Sequence, residues 1–217
     1  TSQYFGRCMN CKEWNSIIEE EKYPISKKNI IKKSKKSKLF KEITIQEISR
    51  IKTGFNEFDR VLGGGLVHGS IILLGGEPGI GKSTLVLQAA SKMSISHNVL
   101  YVTAEESLEQ VKIRWTRLNQ RDSNLKVFAE NNLSIIIQEL KNNKPTIAII
   151  DSIQTINNSD LESASGSVSQ VRSCSSELQK FAKDNNIALL IIGHVTKDGT
   201  LAGPKTLEHL VDVVLNF

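Results

Sequence analysis

Residues 76–83 read Gly76-Glu77-Pro78-Gly79-Ile80-Gly81-Lys82-Ser83, which is a complete G-x-x-x-x-G-K-[ST] phosphate-loop pattern. An apolar run from Ile71 to Leu74 precedes this stretch, and a helical pattern from Thr84 to Met93 follows it. This strand–loop–helix setting distinguishes a nucleotide site from a glycine-rich turn with an incidental lysine. The stretch therefore predicts a site for a nucleoside triphosphate and Mg²⁺.

Each residue type in the loop has a chemical reason to be there. Glycines let the backbone fold tightly, so that consecutive N–H groups point at the β-phosphate. The helix that starts near Gly81 adds the positive end of its dipole. Lys82 is expected to reach the β- and γ-phosphates, and the Ser83 hydroxyl is expected to bind the magnesium ion.

Length and composition are those of an ordinary soluble globular protein. The chain has 217 residues, of which 39% are hydrophobic and 24% charged. This length predicts a main domain of roughly 150–170 residues with a small appendage. No apolar run approaches the roughly 20 residues that span a bilayer. The first residues form no signal peptide and lack an initiator Met, so we expect a fragment of a longer protein.

The net charge of +5 is concentrated in one block between residues 26 and 41, which holds no acid. Its eight lysines are Lys27, Lys28, Lys32, Lys33, Lys35, Lys36, Lys38 and Lys41. Such a block repels itself, which predicts a flexible connector, although a contact with a polyanion is also open. The rest of the chain is slightly acidic, so nucleic-acid binding there must use local loops.

The three cysteines are too few and too scattered for a disulfide framework. Cys8 and Cys11 form a C-x-x-C pair, which is half of a four-ligand zinc site. The other two ligands would have to lie upstream of Thr1 or on another chain. A thioredoxin-like redox pair is the alternative, but the βαβ setting of such pairs is missing. Cys174 falls on the apolar face of a predicted helix and is most simply a core residue.

Strand and helix patterns alternate from residue 50 onward. Strands are predicted at 71–74, 98–103, 127–128, 146–151, 187–192 and 211–217, and helices at 84–93, 107–118, 134–141 and from 168. This alternation predicts an α/β fold with a central, mostly parallel sheet flanked by helices and with ligands at the carboxyl ends of its strands. We expect three parts: a partial zinc ribbon at 1–20, a lysine-rich linker at 21–49 and an ATPase domain at 50–217.

Polar residues at the ends of three predicted strands are candidates for hydrolysis chemistry. Asp151 ends an apolar strand in the manner of a Walker B carboxylate that orders Mg²⁺, although an Asp can also cap a turn. Glu105 and Glu106 follow the strand at 98–103, where either carboxylate could orient the attacking water or simply sit at a helix N-terminus. His194 ends another strand, where a polar side chain could sense the γ-phosphate, although a lone histidine is more often structural.

The sequence resembles the bacterial RadA (Sms) recombination proteins, within the wider RecA-like ATPases. The resembling stretches run from Tyr4 to Asn15, Leu62 to Ser83, Tyr101 to Ser107, Gly166 to Arg172 and Gly193 to Gly199, with Ala202-Gly203-Pro204 and Leu207-Glu208-His209. The Gly-His-Val-Thr-Lys stretch from Gly193 is far more specific than the phosphate loop alone. The resemblance implies a RecA-like ATP-hydrolysing ring motor, hexameric in form, that binds single-stranded and branched DNA and promotes branch migration beside a RecA-type recombinase.

The resemblance also implies roles for particular residues. The nucleotide-binding candidates are Gly76, Glu77, Pro78, Gly79, Ile80, Gly81, Lys82, Ser83, Thr84, Asp151 and His194. The catalytic candidates are Glu105, Glu106 and Lys82, with Glu105 the expected general base. Ser83 and Asp151 would hold Mg²⁺, and Cys8 and Cys11 would hold zinc only if a second C-x-x-C pair exists. Loops near 157–168 and 196–206 would face DNA, with Lys197, Lys205 and Arg172 as candidate contacts.

Two departures from the family and two alternative functions stay open. Relatives carry two C-x-x-C pairs, and they carry a basic Lys-Asn-Arg-Phe-Gly motif beyond the last strand seen here. Without that motif we expect good nucleotide binding but poor hydrolysis and DNA remodelling. The alternatives are a KaiC-like signalling ATPase and a nucleotide-gated interaction module without useful turnover. For the motor we expect a cytoplasmic location in bacteria or an organelle in a eukaryote.

Overall fold

A computed structural model describes residues 39, 49–119, 123–194 and 207–217 of the chain. Cys8, Cys11, nearly all of the predicted linker, Lys197 and Lys205 lie outside these ranges. The helices are α1 (Asn56–Val61), α2 (Lys82–Met93), α3 (Leu108–Arg117), α4 (Leu133–Asn143) and α5 (Val168–Asn185). The strands are β1 (Ile71–Gly75), β2 (Val99–Thr103), β3 (Lys126–Ala129), β4 (Ile147–Asp151), β5 (Ala188–Ile192) and β6 (Val213–Asn216).

The six strands form one sheet in the order β3-β2-β4-β5-β1-β6, and all its pairings among the described residues are parallel. The predicted α/β fold with a central parallel sheet is therefore confirmed. The chain leaves β1 and returns as β2, so that β5 and β4 lie between these two strands in the sheet. Since parallel strands end at the same edge, the segments that follow β1, β5, β4 and β2 are brought together there.

Helices cover both faces of the sheet, which explains why its strands are continuous apolar runs. Side chains of α1, α2 and α3 pack with one face, as Phe58, Leu87 and Val111 illustrate. Side chains of α4 and α5 pack with the other face, as Leu140 and Cys174 illustrate. The prediction that Cys174 is a core residue is confirmed, since its side chain is buried and its thiol is free. No helix in the described ranges combines the length and hydropathy that crossing a membrane requires.

The predicted and observed elements differ mainly at their ends. Helix α2 begins two residues before the apolar pattern does, at Lys82, and β6 is shorter than its predicted run. Helix α1 was not predicted, because its six residues give too short a window for a helical period.

The segment before the sheet is held by a glycine turn. Ile51 and Leu66 form an antiparallel bridge with hydrogen bonds of 2.8 and 2.9 Å, and Arg50 Nη1 donates to Leu62 O at 3.0 Å. Gly65 has φ +127°, and a Cβ atom there would lie 2.4 Å from the carbonyl oxygen of Ile51. Only glycine fits this close approach of two backbones.

Candidate nucleotide site

The phosphate loop connects β1 to the first turn of α2. Gly81 is the N-cap of α2, with φ 113° and no side-chain cap hydrogen bond among the described residues. The first N–H groups of a helix have no acceptor within the helix, so those of α2 are available to an anion. Around Gly79, which has φ 78°, an added Cβ atom would meet nothing within 4 Å. The loop therefore presents open space and uncapped donors at the same place.

Lys82 is buried at this loop, with 3% of its surface exposed. Its ammonium group donates to Gly76 O at 2.8 Å and to Glu77 O at 2.7 Å. Burial lowers the pKa of Lys82, while the carboxylates of Asp151 and Glu105 act in the opposite direction. The side chain is thus a partly desolvated cation held at the mouth of the loop, where a phosphate oxygen could replace a carbonyl acceptor.

Ser83 and Asp151 meet across the site although they are 68 positions apart. Ser83 Oγ donates to Asp151 Oδ1 at 3.0 Å. Burial raises the pKa of Asp151, and the hydrogen bonds from Tyr101 and Ser83 oppose this rise. A hydroxyl and a carboxylate are hard oxygen ligands of the kind that Mg²⁺ prefers beside phosphates. Together with the uncapped helix and Lys82, these residues fit a magnesium–triphosphate group.

The second oxygen of Asp151 is bound by Tyr101, which sequence reasoning did not select. Tyr101 lies in the middle of β2 and is fully buried, and its hydroxyl donates to Asp151 Oδ2. Burial and the neighbouring Asp151 carboxylate raise the pKa of Tyr101 well above its usual value, so the hydroxyl keeps its proton. The available signal was a phenol inside an otherwise aliphatic strand, since a buried tyrosine hydroxyl usually has a partner.

Glu105 follows β2 and makes two hydrogen bonds through a single oxygen. Its Oε1 accepts from Ser152 Oγ and lies 3.1 Å from His194 Nε2. The pKa of Glu105 is lowered, and the hydrogen bond with His194 is the largest cause. Burial acts in the opposite direction, whereas the hydrogen bond from Ser152 and the charge of Lys82 lower the pKa further. Glu105 is therefore an ionised carboxylate near neutral pH, which is the form that a general base needs.

The structure separates the two glutamates that the sequence could not distinguish. The Glu106 carboxylate lies 2.6 Å from Arg114 Nη2 on α3, and the Glu106 amide donates to Thr103 Oγ1 at 3.1 Å. Glu106 is thus held toward α3 by an ion pair, whereas Glu105 contacts the segments that follow β4 and β5. This arrangement favours Glu105 as the candidate base.

His194 and Asp151 occupy the edge of the sheet that their positions predicted. His194 follows β5, the strand between β1 and β4, and the Gly193 amide donates to Leu74 O at 3.0 Å. The Nδ1 atom of His194 is buried and has no hydrogen-bond partner among the described residues. His194 therefore joins the candidate base to the segment that leaves β5.

A buried glutamine that sequence reasoning missed makes several of the hydrogen bonds that hold the predicted DNA-facing loop before α5. Gln170 Nε2 lies 3.0 Å from Asn157 Oδ1, 3.1 Å from Asn158 O and 2.8 Å from Ser163 O. Gln170 Oε1 accepts from the Asn158 amide at 2.9 Å. A polar residue on the inward face of a helix was the available signal. The candidate contact Arg172 is exposed, further along α5.

Comparison with protein families matches the description "AAA domain" to residues 36–200. The chain is 50% identical over 218 residues to a protein of Streptococcus pyogenes serotype M6 that is named DNA repair protein RadA, covering 99% of this chain and 48% of that protein. Proteins of the same name from Rickettsia conorii and Bacillus subtilis are 51% and 45% identical, each over 99% of this chain and over 49% and 48% of their own length. The chain spans about half the length of these curated relatives.

Two solved structures share the fold at low sequence identity. One is described as an ATPase domain and superposes with a TM-score of 0.65 at 17% identity, covering 78% of this chain and 76% of that one. A KaiC-like protein from Pyrococcus horikoshii superposes with a TM-score of 0.62 at 20% identity, covering 78% and 81%. Such identities show the fold alone. The chain belongs to the AAA domain family, with the RecA-like ATPase fold, and is a relative of the bacterial DNA repair protein RadA.

Proposed function

We propose that residues 50–217 form the ATP-hydrolysing part of a bacterial DNA repair motor, which assembles as a hexameric ring and drives branch migration beside a RecA-type recombinase. The observation that carries the hydrolysis step is the position of Glu105, an ionised carboxylate held between Ser152 and His194. The names of the relatives support the DNA repair role. The proposed location is the bacterial cytoplasm.

In this proposal, different residues of the chain perform different parts of phosphoryl transfer. Lys82 and the uncapped N-terminus of α2 bind the phosphates and neutralise their charge. Ser83 and Asp151 would hold Mg²⁺, which supplies charge stabilisation at the β- and γ-phosphate oxygens when bound. Glu105 orients the attacking water and accepts its proton. Zinc enters only if a second C-x-x-C pair completes the half site of Cys8 and Cys11, because structural zinc needs four ligands.

Coupling to DNA is proposed to run from Glu105 through His194. The imidazole contacts the base on one side, and residue 194 leads directly into the segment that contains Lys197 and Lys205. Together with Arg172 on α5, these lysines are the proposed contacts to the DNA backbone. Loss or gain of the γ-phosphate beside Glu105 would then change the position of His194 and, through it, of the DNA-binding segment.

Steady-state ATP hydrolysis, with and without single-stranded DNA, tests the proposal with a matched pair of variants. Glu105→Gln should lower turnover by about 10²–10⁴-fold while ATP affinity stays nearly unchanged, because only proton transfer is lost. Glu106→Gln should keep turnover within a few-fold, since its ion pair with Arg114 lies toward α3. Lys82→Ala is the control that removes nucleotide binding. Unchanged turnover in Glu105→Gln would remove Glu105 from the mechanism.

The effect of DNA on hydrolysis, and DNA binding itself, are measured in this chain and in a version extended to the length of its curated relatives. Stimulation by DNA that disappears in Lys82→Ala supports a DNA-coupled motor. Binding should weaken with salt by about 0.7 log units per log[salt] for each single-strand phosphate contact, and Arg172→Ala should lower that slope by about one contact. A hydrolysis rate that DNA does not change, together with DNA binding that does not depend on salt, would favour a signalling ATPase instead.

A further inference from the structure

Tyr101 shares the candidate site with Asp151 because of the register between two strands. Tyr101 lies opposite Ile149 on β4, and Thr103 lies opposite Asp151. Residues two apart on parallel strands point to the same face, so Tyr101 and Asp151 are diagonal neighbours on the face covered by α2. A tyrosine side chain is long enough to reach along the strand to the carboxylate. The contact therefore depends on one particular register of β2 against β4.

The two oxygens of Asp151 have different partners, and each partner has a different task. Oδ1 accepts from Ser83 Oγ at 3.0 Å, on the side where the magnesium ion would lie. Oδ2 accepts from the Tyr101 hydroxyl, inside the core. A carboxylate bound at one oxygen alone can rotate about its χ2 angle, whose energy profile is broad. The second hydrogen bond fixes the plane of the carboxylate and directs the first oxygen outward.

We propose that Tyr101 is a positioning residue for the magnesium site, acting through Asp151; this rests on the proposed function of Ser83 and Asp151 as the metal-ordering pair. A packing role alone would be served by phenylalanine, which fills the same volume without a polar atom. The hydroxyl is bonded to the carboxylate that the metal site uses, and β2 is separated by β4 and β5 from β1, the strand that leads into the phosphate loop. Residues that hydrogen-bond to a metal ligand without contacting the metal orient that ligand and commonly affect metal affinity.

Mn²⁺ binding in the presence of ADP, followed by electron paramagnetic resonance on the full chain, tests the proposal without using turnover. Tyr101→Phe should weaken Mn²⁺ binding by about 10–100-fold. ADP affinity in EDTA should be unchanged, because the phosphate loop and Lys82 are untouched. Ser175→Ala is the matched control, since Ser175 Oγ is a buried hydroxyl without a hydrogen-bond partner among the described residues. It should leave Mn²⁺ binding as in the unsubstituted chain.

A double-mutant cycle separates positioning from general loosening of the core. In an Asp151→Asn background, Tyr101→Phe should cause no further loss of Mn²⁺ affinity, because the hydroxyl acts through the carboxylate. Equal losses in both backgrounds, or unchanged Mn²⁺ affinity in Tyr101→Phe alone, would overturn the proposal. In either case the proposed function would stand if Glu105→Gln still lowered turnover as predicted above. Absence of any metal-dependent nucleotide binding in the unsubstituted chain would instead overturn both.

Discussion

Replacing Gln170 by methionine should loosen the loop at 158–163 while the sheet stays folded. The side chain keeps its length and loses its polar atoms. The amide has two hydrogens for the acceptors around it, and its oxygen accepts from the Asn158 amide, so three hydrogen bonds are lost. At about 0.5–1.5 kcal/mol each, the loss is about 2–4 kcal/mol. A domain with a stability of about 5–15 kcal/mol tolerates this.

Amide hydrogen exchange measured by NMR distinguishes a local from a global effect. The Asn158 and Leu161 amides bond within the loop or to Gln170, whereas the Leu133 amide donates to Asn157 O at 2.9 Å, where the loop joins α4. Exchange at Asn158 and Leu161 should rise by about 30–1,000-fold, which is the same free energy expressed as an opening equilibrium. Exchange at Leu133 should rise much less, because its own hydrogen bond to the backbone oxygen of Asn157 is retained.

Gln138→Met is the control for this experiment, because Gln138 makes an exposed hydrogen bond to Asn142 within α4. It should leave exchange at Asn158 unaltered. Two results would refute the reasoning: unchanged exchange at Asn158 in Gln170→Met, or equal acceleration at Asn158 and Leu133. The second would mean that Gln170 stabilises the whole domain rather than the loop.

Two further predictions follow from altered pKa values. His194→Ala removes the largest cause of the lowered pKa of Glu105, so that pKa should rise and the acidic limb of the pH–turnover profile should move to higher pH; a limb that does not move would contradict the assignment. Burial raises the pKa of Cys174 to about 11, so with the other two cysteines replaced by serine the chain should react with Ellman's reagent at about pH 8 only after unfolding in urea. Rapid reaction of the folded chain would show that the thiol is accessible.

The sequence predicted the architecture well because the decisive signals are local. Short apolar runs indicated the buried strands, and the position of a polar residue at or just after the end of such a run indicated Asp151 and His194. A parallel sheet brings all such positions to one edge, so the composition of the site followed from the fold. The roles proposed for these residues stay predictions.

What the sequence did not reveal depends on contacts between distant segments. Glu105 and Glu106 are adjacent and identical, and their separate partners, Ser152 and His194 for one and Arg114 for the other, come from other segments of the fold. Tyr101 appears as an ordinary core residue until its register against β4 is known. Gln170 is polar on an apolar helical face, and its partners come from a loop with no regular pattern. The pattern of apolar and polar residues along the chain contains neither the directions of side chains nor the register between strands that are distant in sequence.

Strand β2 carries two groups whose tasks differ but whose positions cannot be adjusted independently. Tyr101 contacts Asp151 from within the strand, and Glu105 lies two residues beyond its end at Thr103. Any substitution that shifts β2 along β4 displaces both groups by the same distance. Variants selected for a different metal preference should therefore also change in their rate of water attack. In a laboratory selection, compensating mutations should accumulate in the packing between β2 and β4 rather than in the phosphate loop.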